Sequence, residues 1–84
     1  MPYAVMVDDR HHDPYALLYF DRQNAIDCAE SIVANAPHPE AVPDDERSLS
    51  PEQLAENEWI FYRCYSVEGD SVWVYATDFE DAHK

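Results

Sequence analysis

Glycine is almost missing from this 84-residue chain; Gly69 is the only one. Loops that cradle phosphate need several glycines for close backbone approach, so the glycine-rich nucleotide-binding motifs are excluded. Lysine is just as scarce. Lys84 stands alone, and the other cations are Arg10, Arg22, Arg47 and Arg63. Four scattered arginines make no basic stripe, so direct nucleic-acid binding is not expected, and an anionic membrane surface would repel the chain. No apolar run approaches the roughly 18 residues that a membrane span needs. The opening Met1-Pro2-Tyr3 has neither the basic nor the apolar part of a signal peptide, so a cytoplasmic location is expected. Cys28 and Cys64 have no paired or metal-like spacing and read as reduced thiols.

What is abundant is acid. Eighteen Asp and Glu face five Lys and Arg, for a formal net charge of -13. The acids run the length of the chain, with short clusters at Asp44-Asp45-Glu46 and around Asp78 to Asp81. The whole surface therefore carries one sign, and it opposes its own compaction. Dissolved salt relieves that repulsion, because the screening length drops from about 10 Å at 0.1 M to about 3 Å at 1 M. An acid-rich, lysine-poor composition of this kind resembles proteins of salt-loving archaea. The resemblance covers composition along the whole chain and carries no functional motif. It implies a salty cell interior. The other setting that fits is attraction to a basic partner.

Length bounds the chain to one domain, residues 1–84. Tyr3 to Val7 and Tyr15 to Phe20 read as two strands, joined by a polar stretch containing Asp13-Pro14. Asp21 suits a helix N-cap. Ala25, Ile26, Ala29, Ile32, Val33 and Ala36 then recur at helical spacing, and Pro37 ends the helix. Residues 37–49 read as a surface loop. Ser50-Pro51-Glu52-Gln53 opens a short helix to about Asn57, with Ser as cap, Pro at the first position and Gln at the third. Trp59 to Val67 and Val72 to Thr77 read as a hairpin. Gly69 first in a two-residue turn predicts Val67 opposite Val72 and Tyr65 opposite Val74. The acidic tail from about 80 is expected to fray. The order β-β-α-(short α)-β-β predicts an α+β fold: a four-stranded antiparallel sheet with one main helix packed on one face.

The informative feature is an excess of apolar side chains. A sheet with one wet face alternates apolar and polar residues, and these strands do not. A helix of about 15 residues, roughly 22 Å long, shelters only one face. The aliphatic set Val67, Val72, Val74 and Ala76 suits the helix side. Ile60, Tyr62, Trp73 and Tyr75 are left as a second apolar surface, the kind that marks an interface. A homodimer through this face, or another protein there, is expected. The plainer alternative is that the chain's own loop and short helix cover it.

Candidate chemistry is sparse. Asp8-Asp9-Arg10-His11-His12-Asp13 is the densest group of potential ligands, and His11, His12 and Asp13 are the weak metal candidates. His38 and His83 stand apart. Cys28 and Cys64 have no base placed beside them and read as structural. Glu52 and Glu56 read as a solvated helix face rather than an acid-base pair. No enzyme, cofactor or small-molecule ligand is expected. The leading expectation is a non-catalytic interaction or accessory module, dimeric through the aromatic face. Two rivals stand beside it. One is an acidic nucleic-acid mimic that blocks a basic DNA-binding protein. The other is a small metal-dependent enzyme using the His11-His12 loop.

Overall fold

The computed structural model describes residues 2–11 and 13–77. The chain forms the expected α+β fold. Strands β1 (Tyr3–Asp8) and β2 (Tyr15–Tyr19) precede helix α1 (Arg22–Ala34). Two short helices, α2 (Asp44–Arg47) and α3 (Pro51–Asn57), lead into strands β3 (Trp59–Cys64) and β4 (Ser71–Ala76). All pairings are antiparallel and the spatial order is β2-β1-β4-β3. The central pair, β1 and β4, thus joins the two ends of the sequence. His83 and the expected fraying of the tail lie outside the described residues.

Helix α1 begins where the sequence places it. The Asp21 carboxylate accepts from the Asn24 amide, which satisfies one of the orphan donors of the first turn. The helix ends at Ala34, three residues before Pro37. Its small residues Ala25 and Ala29 are fully buried and let the helix approach the sheet closely. Beneath them lie Val5, Val7, Val72 and Val74, each at most 1% exposed. Burial of each such side chain contributes about 1.5–3 kcal/mol relative to exposure. Tyr3, Tyr19, Cys28, Ile32, Val33, Ile60 and Phe61 pack around this cluster.

Residues 37–49 are more ordered than the expected surface loop. Pro39–Ala41 forms a 3-10 turn, and α2 follows. Arg47 ties the segment together by donating from Nε to the Val42 carbonyl and from Nη2 to the Glu40 carbonyl. Val42 is buried as a result. Ser50 caps α3 with a full capping box: Gln53 N donates to Ser50 Oγ, and Ser50 N donates to Gln53 Oε1. Glu58 then takes the left-handed conformation, with φ of 60°, and turns the chain into β3.

The β3–β4 connection corrects the expected hairpin. Strand β3 ends at Cys64, and Arg63, not Val67, lies opposite Val72. The turn spans Ser66 to Gly69 and is closed by the Gly69 amide donating to the Ser66 carbonyl. Gly69 does supply the left-handed residue, with φ of 100°, but at the end of the turn. Val67 is therefore 70% exposed at the loop rather than on the helix side. The slip is an even number of residues, so Phe61 and Arg63 keep the face assigned to them. A second irregularity, a bulge between Trp59 and Phe61, does change faces. Trp59 lies opposite Tyr75, and Ile60 packs with the helix-side core.

Candidate functional site

The face away from α1 is built by cross-strand pairing. Leu18, Ala4, Tyr75 and Trp59 form one row across all four strands. Ala16, Met6, Trp73 and Tyr62 form the next. Neither row contains a charged side chain, on a chain of net charge -13. Three of the four expected interface residues, Tyr62, Trp73 and Tyr75, lie on this face. Ile60 does not, because the bulge turns it to the core and puts Trp59 in its place. The sequence carries no signal for that exchange beyond the apolar character of both residues.

The rows are graded in size. The β2–β1 half carries Ala16, Leu18, Ala4 and Met6, and the β4–β3 half carries Trp73, Tyr75, Trp59 and Tyr62. The aromatic half is ordered by its own stacking. Trp59 lies parallel to Tyr62 with ring centroids 5.6 Å apart, and its centroid is 5.0 Å from that of Trp73. These rings are half-buried, while Leu18 is 56% exposed. Burial pushes the Tyr62 phenol above its ordinary pKa, and a hydrogen bond with Ser71 partly offsets this. The principal helix contacts with β1 and β4 are those of α1 on the other side. α3 packs on the edge strand β3, and Asn57 and Glu58 at its end line a depression with Met6, Trp59, Trp73 and Tyr75.

A second feature lies at the end of the sheet, where β1 ends and β4 begins. A cavity of about 540 Å³ there is lined by Asp9, His11, His38, Tyr65 and Asp70, among others. Asp9 is positioned by three donors or partners. The His11 amide donates to its Oδ1 at 2.9 Å, the His11 ring Nδ1 shares a 2.8 Å hydrogen bond with the same oxygen, and the Tyr65 hydroxyl donates to Oδ2 at 3.0 Å. The His11 amide is the main reason that the Asp9 pKa falls to about 2. Tyr65 is raised well above the ordinary phenol value, by burial first and then by the Asp9 bond. Asp70 is only 4% exposed, and its Oδ1 accepts from the Arg10 amide at 3.0 Å.

One ligand atom each from Asp9, His11 and Asp70 lies within 4.8 Å of the others. Of the expected metal candidates, His11 belongs to this group and Asp13 does not; His12 lies outside the described residues. Asp9 stands in the densest ligand group of the sequence but outside its named candidates, and Asp70 was not singled out. Only the β1–β4 pairing, which sets Asp8 opposite Ser71, brings them together. Cys28 and Cys64 are free thiols, and Cys64 donates to the Ser66 carbonyl. No family model, curated protein or solved structure matches the chain. Among the described residues, no helix is long and apolar enough to cross a membrane.

Proposed function

We propose that the chain is a non-catalytic protein-interaction module that assembles with a second copy of itself through the open face of its sheet. The observation that carries this reading is the pair of uncharged rows that cross all four strands opposite α1. Apolar faces of this kind on a water-exposed protein mark interfaces, and Trp and Tyr are enriched in them. The size gradient favours a copy of the same chain over another partner. A two-fold axis parallel to the strands, passing between β1 and β4, lays the aromatic half of one face on the aliphatic half of the other. Large residues then meet small ones in both directions, as a self-complementary interface requires. The resulting sandwich matches the aligned packing of two twisted sheets.

The acidic surface tunes this association. Two chains of net charge -13 repel each other at low salt. Screening at molar salt removes that opposition and leaves the apolar contact to act. The assembly therefore suits a salt-rich interior, in keeping with the composition. The test is the mass of Trp73→Glu by light scattering at molar salt. The reading expects wild type to be dimeric and the variant monomeric and folded. An unchanged mass in the variant contradicts it.

A further inference from the structure

We propose that Asp9, His11 and Asp70 form a binding site for one divalent transition-metal ion, a site separate from the sheet face. The fold brings two carboxylates to one point from opposite ends of the sequence, and Asp70 is more than nine-tenths buried. A buried carboxylate such as that of Asp70 is costly unless a positive charge or hydrogen bonds compensate it. Among the described residues, no arginine or lysine side chain does so. Arg10 is the neighbour in sequence, but it lends only its backbone amide to Asp70 and places its guanidinium 2.6 Å from Glu68. Apart from that amide, the Asp70 carboxylate has no hydrogen-bond partner among the described residues. Asp70 also lines the cavity.

The geometry admits an ion. Bonds of about 2.1 Å place neighbouring ligand atoms about 3–3.5 Å apart, so the group, whose ligand atoms lie within 4.8 Å of one another, closes by up to about 1.8 Å to hold an ion. His11 Nδ1 already lies 2.8 Å from Asp9 Oδ1, and its side chain is 69% exposed and has room to adjust. Tyr65 stands behind Asp9 as a hydrogen-bonded support, the usual arrangement behind a ligating carboxylate. The cavity leaves room for water or an exogenous ligand at the remaining positions. Two carboxylates alone would suit magnesium or calcium, whereas the imidazole shifts the preference toward zinc and its neighbours.

The test is calorimetry with zinc on the metal-stripped full chain. Excess magnesium in the buffer occupies the general acidic surface. The expected result is one zinc per chain, with affinity at least tenfold weaker in both His11→Ala and Asp70→Asn. Asn keeps an oxygen for the Arg10 amide; if Asp70→Asn nonetheless fails to fold, Asp9→Asn replaces it. No zinc binding above the magnesium background overturns the site, as does wild-type affinity in either variant. The site does not rest on dimerisation, so Trp73→Glu is expected to bind zinc like the wild type.

Discussion

The two faces of the sheet are made from the same four strands, yet they are finished differently. At the centre of the α1 side the side chains are aliphatic and fully buried: Val5, Val7, Val72 and Val74 lie under Ala25 and Ala29. On the other side the β4–β3 half is aromatic and half-buried, with Tyr62 and Trp73 each stacked on Trp59, while the β2–β1 half runs from the buried Ala4 to the exposed Leu18. The helix explains the first face. Among the described residues, neither α2 nor α3 packs on β1 and β4 as α1 does. A chain that carries acid almost everywhere else keeps it out of two complete rows. The difference teaches that hydrophobicity here builds a core on one side and leaves, on the other, the uncharged rows on which the proposed self-association rests.

Neighbouring residues on β4 offer the sharpest way to break this comparison. Val74 and Tyr75 are adjacent but face opposite sides. Val74→Asp buries an unpaired charge in the core and is expected to cost several kcal/mol, enough to unfold a domain of ordinary stability. Circular dichroism should show this at every protein concentration. Tyr75→Asp puts the same carboxylate on the open face. It is expected to cost the monomer about 1 kcal/mol and to abolish concentration-dependent stabilisation. Equal, concentration-independent losses in the two variants would erase the distinction between the faces.

Smaller effects sharpen the account of the chain that delivers Trp59 to the open face. Glu58 holds a left-handed conformation that a non-glycine residue adopts at a cost, and its charge sits at the unfavourable C-terminal end of α3. Glu58→Gly is expected to raise stability by up to about 1 kcal/mol in a denaturant titration. A loss would show that the side chain does something the backbone does not reveal.

A pH-dependent effect concerns Asp9. Its folded pKa, about 2, lies below the ordinary 3.8, so its contribution is fully present above pH 4 and fades as pH falls toward 2. The stability gap between wild type and Asp9→Asn, measured without metal, is expected to close across that window. A gap that stays constant down to pH 2 would mean that the bonds from His11 and Tyr65 do not favour the charged form.

Much of the fold was legible because its signals are local. Asp21 and the alanine-rich stripe defined α1, and Ser50-Pro51 with Gln53 defined α3. The hairpin was not legible, because Gly69 satisfies either a two-residue or a longer turn. The choice is made by distant contacts: Tyr65 packs in the core and reaches Asp9, and Asp70 receives the Arg10 amide. The open face was readable from strand alternation, apart from the bulge that exchanges Ile60 for Trp59. The metal-ligand group was half hidden for a similar reason. His11 stood out as a histidine, but its partners Asp9 and Asp70 meet only when the first and last strands pair.

The account is tested most directly by sedimentation equilibrium of the wild-type chain in molar potassium chloride, over a wide dilution series. Self-association through the open face predicts a species of twice the 9.7 kDa chain mass that dissociates on dilution and is weakened at low salt. A mass of 9.7 kDa at every concentration and every salt level would contradict it.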